Sequence, residues 1–172
     1  ELRSFAGVRA AEPTADFAGE LRAYQREGLG WLYFLQRFGF GGCLADDMGL
    51  GKTIQVLALL ESRRDLGGQN GKESHRPSLV VVPRSLVFHW KKEALQFAPK
   101  LRILDHTGGG RVKPGDHFDA YDVVLTTYGT LRRDALQFKD LRFDYCILDE
   151  AQAIKNAGTL SAKAARLLSA DY

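Results

Sequence analysis

The sequence predicts an α/β fold in three layers, with helices covering both faces of a mostly parallel sheet. Short apolar runs rich in Val, Ile and Leu alternate along the chain with segments of helical periodicity. Runs that are apolar throughout are typical of parallel strands buried on both faces. Five unusual short motifs (GKT, PRS, TGG, TTY and DEA) each lie at or beyond the carboxyl end of a predicted strand. Because parallel α/β sheets bind ligands beyond the carboxyl ends of their strands, these motifs indicate the functional edge.

The composition is that of one globular domain without a membrane segment. The chain has 172 residues, and no apolar run approaches the roughly 18 residues that a membrane helix needs. Cys43 and Cys146 lie in apolar runs, which predicts two buried free thiols. A formal net charge of +3 permits nucleic-acid binding without arguing for it.

The predicted elements alternate regularly. An N-terminal segment over residues 1–20 is followed by a single lobe over residues 21–172. Helices are predicted over residues 20–38, 51–64, 85–98, 130–138 and 159–170, and strands over residues 41–46, 78–83, 101–106, 121–129 and 143–150.

The first predicted helix carries an apolar stripe and two internal glycines. Gly28 and Gly30 would each cost a helix about 1 kcal/mol relative to alanine. They therefore indicate either a close packing contact or a break between two helical pieces. The stripe consists of Leu21, Tyr24, Gly28, Trp31, Leu32, Leu35 and Phe38.

A stretch between the first strand and the second helix, LADDMGLGKT, is close to the phosphate-loop pattern G-x-x-x-x-G-K-[ST]. Its glycines let the backbone approach phosphates, Lys52 would reach the β- and γ-phosphates, and the Thr53 hydroxyl would hold Mg²⁺. Asp46 occupies the first glycine position. We expect Asp46 to adopt a left-handed backbone and to brace the loop by accepting its N–H groups. The candidate nucleotide-binding residues of the loop are Asp46, Asp47, Met48, Gly49, Leu50, Gly51, Lys52 and Thr53.

A second acidic motif, YCILDEAQ, completes a nucleoside triphosphatase pattern. The apolar run places Asp149 at the end of a buried strand, where it can hold Mg²⁺, and Glu150 is a candidate general base for the attacking water. Taken alone, an acidic residue at the end of an apolar run is equally well explained as a helix-capping residue. The stretch DHTG over residues 105–108 also fits a GTPase element, but no N-K-x-D follows to read guanine.

The motif set resembles the Swi/Snf family of helicase-like ATPases of superfamily two, over about residues 21–156. DDMGLGKT, DEAQ, LRAYQREGLGWL and VVPRSLVFHW carry the resemblance. It implies the first of two RecA-like lobes, with ATP and Mg²⁺ as cofactors. Gln25 matches the family's adenine-reading glutamine, while Lys52, Thr53, Asp149 and Glu150 match its phosphate, magnesium and hydrolytic residues. Gln152, where the family often has histidine, would couple the nucleotide site to the other lobe.

Three further stretches, PRSLVFHW, HTGGGR and LTTYG, resemble the family's DNA-contacting motifs. A helix start, loop amides and hydroxyls can all bind backbone phosphates, and none of the three offers a recognition helix for base edges. The candidate DNA-contacting residues are Arg84, Ser85, Gly108, Gly109, Arg111, Thr126 and Thr127.

The resemblance implies a DNA-stimulated ATPase that translocates on the backbone of double-stranded DNA and remodels DNA-bound protein complexes. Its partners would be a second RecA-like lobe and a protein cargo on DNA, such as RNA polymerase, with no membrane partner. We expect a cytoplasmic, nucleoid or nuclear location, and little activity from this lobe alone, because the arginine finger lies on the other lobe. Alternatives are a nucleotide-dependent protein-interaction switch that does not track DNA, a strand-separating helicase, or the motor subunit of a DNA-modifying complex.

Overall fold

The computed structural model describes residues 7–47, 49–64, 76–111, 113 and 117–172. Within these ranges the helices are α1 (Ala23–Arg37), α2 (Lys52–Arg63), α3 (Val87–Phe97), α4 (Tyr128–Phe138) and α5 (Leu160–Ala165). The strands are β1 (Ser78–Val82), β2 (Ile103–Asp105), β3 (Val123–Thr127), β4 (Arg142–Phe143), β5 (Cys146–Leu148) and β6 (Ser169–Ala170). Short 3₁₀ turns cover Arg84–Leu86, Phe118–Ala120 and Ala151–Ile154.

The main sheet has four parallel strands in the order β2-β3-β1-β5. Side chains of β1 alternate between two cores, as the period of a strand requires. Val80 and Val82 face the core built with α1, α2 and α3, whereas Leu79 and Val81 face the core built with α4 and α5. The predicted three-layer α/β fold with a parallel sheet is therefore confirmed.

Helix α1 is continuous, so its glycines mark close packing and not a break. A Cβ atom at Gly28 would lie 1.9 Å from Oε1 of Gln55, and one at Gly30 would lie 1.8 Å from the carbonyl oxygen of Arg9. The predicted apolar stripe is right in part: Leu21 is buried and Leu32 packs against the core, but the buried face runs through Gln25 and Leu29 and not through Tyr24. Gln25 and Leu29 are buried while Tyr24 is exposed, because Gln25 packs against the loop that precedes α2.

Two strand predictions are wrong in part. Residues 41–46 form no strand, and Cys43 is exposed, so the predicted burial of its thiol is also wrong. The strand predicted over residues 143–150 is divided in two. Arg142–Phe143 pairs with β6, and Cys146–Leu148 pairs with β1.

Residues 11–18 of the N-terminal segment pack against the rest of the domain. The N–H of Ala11 donates to the carbonyl of Arg26, and the N–H of Ala18 donates to the carbonyl of Phe97. Phe17 is buried in the same core as α1 and α2. Among the described residues, no helix is both long and apolar enough to cross a membrane.

Candidate functional site

The glycine loop before α2 has the backbone shape of an anion cradle. Gly49 and Gly51 have positive φ angles of 85° and 76°, a conformation that glycine adopts without steric cost. A Cβ atom at Gly51 would lie 2.6 Å from Nε2 of Gln25, so this position also requires the absence of a side chain. Helix α2 then begins at Lys52 with no acidic residue in its first turn, which leaves its positive end for an anion.

Lys52 lies across the loop. Its Nζ donates to the carbonyl oxygen of Asp46 at 2.6 Å and to that of Asp47 at 3.1 Å. Both acceptors are neutral carbonyls, so no carboxylate within the described part of the chain competes with a phosphate for this ammonium. The lysine therefore sits where a polyanion bound in the loop would meet a positive charge.

Asp46 braces the loop, but in a different way from the one expected. Its φ is not positive, so the predicted left-handed backbone is wrong. Its carboxylate accepts a hydrogen bond from Nε2 of Gln55 at 3.1 Å, and Gln55 is fully buried on α2. The carboxylate is thus tied to the helix behind the loop, which explains how an acid is tolerated beside a phosphate site.

Two side chains of α1 hold the tip of the loop. Nε2 of Gln25 and the hydroxyl of Tyr24 both donate to the carbonyl oxygen of Leu50, at 3.1 and 3.0 Å. Gln25 also accepts from the N–H of Arg22, so both ends of its amide are engaged. Its role in reading adenine stays a prediction, and Met48 lies outside the described residues.

Asp149 lies at the carboxyl end of β5, as the sequence predicted. Its N–H donates to the carbonyl of Val81, which extends the pairing of β5 with β1. Each carboxylate oxygen accepts one hydrogen bond: Oδ2 from Nε1 of Trp90 at 2.8 Å, and Oδ1 from the N–H of Glu150 at 2.9 Å. The carboxylate is therefore oriented by the protein before any ligand binds.

Glu150 follows in a left-handed conformation with a φ of 52°, which is uncommon for a residue with a side chain. The hydroxyl of Tyr128 donates to the carbonyl of Asp149 at 2.7 Å, immediately before Glu150. The Glu150 carboxylate accepts a hydrogen bond from Nε2 of Gln152. Sequence reasoning did not assign a role at this site to Trp90 or Tyr128, because their contacts join residues that are far apart in the chain.

The carboxyl ends of β1 and β2 present exposed groups. Arg84 and Ser85 are exposed in the turn after β1 that leads into α3. Gly108 and Gly109 are exposed after β2, and Gly108 has a φ of 73°. These four positions are exposed and can approach a phosphate backbone.

The guanidinium of Arg111 forms its contacts within the domain. It forms a bidentate pair with Asp134 of α4, at 2.7 Å from Nε to Oδ2 and 2.6 Å from Nη2 to Oδ1, and also donates to the Gly108 carbonyl. The pair holds the pKa of the Asp134 carboxyl below its usual range. His106, fully buried, places Nε2 at 3.3 Å from the same carboxylate.

Thr126 and Thr127 both use their hydroxyls internally. Thr126 has no exposed surface and donates to the carbonyl of His106 at 2.9 Å. The Thr127 oxygen caps α4 by accepting from the N–H of Thr130 at 3.1 Å. In this structure neither hydroxyl is available to a phosphate, which differs from the predicted direct contact and leaves both threonines shaping the strand end.

The residues present fit ATP and Mg²⁺. The loop supplies glycines, a helix start and Lys52 for the phosphates, and carboxylate and hydroxyl oxygens are ligands suited to Mg²⁺. Asp149 retains lone pairs for a metal because each of its oxygens accepts only one of these hydrogen bonds. Thr53 lies in the first turn of α2, next to Lys52.

A glycine loop before a helix, an oriented Asp-Glu pair at a strand end and a parallel sheet covered on both faces define a nucleotide-binding domain of the P-loop class. A family model described as "SNF2-related domain" matches residues 24–172. The chain therefore belongs to the SNF2-related family of helicase-like ATPases, and its fold is RecA-like.

Similar proteins agree with this assignment. The chain is 43% identical over 155 residues to the "Putative ATP-dependent helicase/translocase YwqA" of Bacillus subtilis, which covers 88% of this chain and 16% of that protein. It is 37% identical to "TATA-binding protein-associated factor 172" of Homo sapiens, over 89% of this chain and 9% of that protein. The solved "Sulfolobus solfataricus SWI2/SNF2 ATPase core in complex with dsDNA" superposes with a TM-score of 0.82 at 38% identity, over 95% of this chain and 33% of that one. The chain thus spans less than a fifth of these two curated relatives.

Proposed function

We propose that the chain is the first ATP-binding lobe of a DNA-stimulated ATPase that translocates on double-stranded DNA and remodels DNA-bound protein complexes. The observation that carries the proposal is the preformed pair of motifs on one domain. Lys52 spans the glycine loop, and the Asp149–Glu150 turn is held by hydrogen bonds at the carboxyl end of the sheet.

Each side chain has a role that follows from its chemistry. The loop amides and Lys52 bind the phosphates, while Asp149 and Thr53 would hold Mg²⁺, which neutralises charge on the phosphoryl oxygens. Glu150 accepts a proton from the attacking water, since a carboxylate is acceptor-only when ionised. Gln152 fixes the direction of the Glu150 carboxylate.

Double-stranded DNA is the proposed track because the exposed groups at the functional edge suit phosphates and not bases. Arg84, Ser85 and the Gly108–Gly109 amides offer one cation, a hydroxyl and backbone N–H groups. A relative of known structure was solved with dsDNA, and several relatives bear the name TATA-binding protein-associated factor. We propose accordingly that the cargo is a protein bound to DNA and that the protein acts in the cytoplasm, nucleoid or nucleus.

The test is ATP turnover by the full-length protein with and without double-stranded DNA. Turnover is expected to rise with DNA, and Glu150→Gln is expected to lower kcat by about 10²-fold or more while nucleotide still binds. A DNA-independent rate would favour a protein-interaction switch. A strand-displacement assay with the same protein separates a helicase from a translocase, and the lobe expressed alone is expected to turn over little ATP.

A further inference from the structure

The peptide unit that joins Asp149 to Glu150 is held from both sides. Its carbonyl oxygen accepts from the hydroxyl of Tyr128 at 2.7 Å, and its N–H donates to the Asp149 carboxylate at 2.9 Å. Because both groups belong to one rigid plane, rotating the peptide would break both hydrogen bonds together. The orientation of this peptide plane fixes the backbone direction at Glu150. The positive φ of Glu150 is an unfavourable conformation that persists only while contacts with the surrounding residues maintain it.

A second buried donor fixes the Asp149 carboxylate. Nε1 of Trp90 donates to Oδ2 at 2.8 Å, while Oδ1 receives the N–H of Glu150. Trp90 is 4% exposed and Tyr128 is 8% exposed. Away from water, such bonds to a carboxylate are short, directional and stronger than bonds between neutral groups.

Both donors come from elements that begin at the exposed edge. Trp90 lies on α3, which continues directly from the turn that exposes Arg84 and Ser85. Tyr128 is the first residue of α4, next to the capping residue Thr127 at the end of β3. A shift of either helix start therefore moves a group that is bonded to the Asp149–Glu150 turn.

We propose that Trp90 and Tyr128 are positioning residues that set the Asp149–Glu150 turn and transmit contact at the DNA-facing edge to the hydrolytic carboxylate. This inference rests on the proposed function and specifies its coupling. DNA bound against exposed Arg84 and Ser85 before α3, and against exposed Gly129 in the first turn of α4, biases the two helix starts, and the two hydrogen bonds carry that bias to Glu150. Neither residue touches nucleotide or DNA.

Tyr128→Phe is the sharpest test, because it deletes one hydroxyl and keeps the ring. The full-length protein is assayed for kcat, for KM of ATP and for DNA affinity, with and without double-stranded DNA. We expect kcat to fall about 3- to 10-fold, as the loss of one hydrogen bond predicts, with the larger fall in the presence of DNA. KM and DNA affinity should stay unchanged. Trp90→Phe, which removes the indole N–H, should shift kcat in the same direction.

Tyr145→Phe is the matched control. Tyr145 is 8% exposed like Tyr128, and its hydroxyl has no hydrogen-bond partner among the described residues. Its loss should leave kcat and the DNA stimulation at the wild-type level. The thermal unfolding midpoints of both variants are also measured. They show whether a change in kcat arises at unchanged stability of the fold.

The outcomes separate the two proposals. A wild-type protein without DNA-stimulated turnover refutes the proposed function, and this inference falls with it. A stimulated wild-type protein whose Tyr128→Phe variant matches Tyr145→Phe in kcat overturns the inference alone. An equal fall of kcat with and without DNA overturns the transmission from the DNA-facing edge.

Discussion

The pair between Arg111 and Asp134 gives the prediction that most sharply divides a structural role from a DNA contact. The change is Asp134→Asn, which keeps the shape of the side chain and removes the charge that two guanidinium nitrogens approach at 2.6 and 2.7 Å. The two side chains are only 17% and 9% exposed, so water replaces the lost partner poorly. A buried pair costs roughly 3–5 kcal/mol to break and an exposed one under about 1 kcal/mol, which places this loss at about 2–3 kcal/mol.

The assay is urea denaturation of the wild type, Asp134→Asn, Arg111→Met and the double variant. Because the two residues share one interaction, the double variant should be only slightly less stable than either single variant. The loop that follows β2 should also lose its shape, since Arg111 donates to the Gly108 carbonyl. DNA affinity of the full-length protein should therefore fall in Asp134→Asn as well as in Arg111→Met.

The salt dependence of DNA binding distinguishes this role from a phosphate contact. A guanidinium that neutralises a phosphate contributes about 0.9 to the slope of log affinity against log salt. If Arg111 only positions the loop, both variants should lower the affinity and leave the slope at the wild-type value. A coupling energy below about 0.5 kcal/mol, or a reduced slope in Arg111→Met alone, would refute the reasoning.

Two further predictions concern stability. Gly28→Ala should destabilise the fold by about 1–3 kcal/mol, because its Cβ would collide with the buried Gln55 amide that braces Asp46. The control is Gly129→Ala, whose Cβ would have its nearest neighbour at 3.9 Å and which should be neutral or stabilising in the same urea titration. Burial holds the pKa of His106 below its usual value of 6.5, despite the opposing Asp134 carboxylate. The unfolded chain therefore binds the proton first, and the free energy of unfolding should fall as the pH drops below about 6.5, by at most about 1.4 kcal/mol per pH unit. A His106→Asn variant with the same slope over that range would contradict this assignment.

Periodicity and motif spacing predicted the layers and most elements. Apolar runs rich in β-branched residues favour buried parallel strands, so β1 and β3 were recognisable, and the apolar run of β5 was recognisable although that strand is only half-buried. The short strand β2 was also predicted within residues 101–106. The paired-strand prediction for residues 41–46 failed because pairing depends on a neighbouring strand, which local sequence does not specify. The division of residues 143–150 into two strands was not predicted for the same reason, because β4 pairs with β6, which is distant in the sequence.

The candidate site divides along a similar line. The positions of Lys52, Asp149 and Glu150 in the fold were predictable because each residue belongs to a short motif at a strand end. The partners of these residues were not, since the bonds from Trp90 and Tyr128 to Asp149 connect separate elements. Asp46 shows the limit most clearly. The sequence marked it as unusual, but only the fold brought Gln55 against its carboxylate.

By itself, the sequence determined the class of fold, the phosphate loop, the acidic strand end and the family resemblance. Each of these can be recognised from short motifs or from periodic patterns of neighbouring residues along the chain. The tertiary structure decided which polar groups are free and which are already engaged. Arg111, Thr126 and Thr127 read as contacts for DNA in sequence, yet their polar atoms bond within the domain. The physical reason is that most buried polar groups take a hydrogen-bond partner within the fold, and which partner is in reach is set by contacts between residues far apart in sequence.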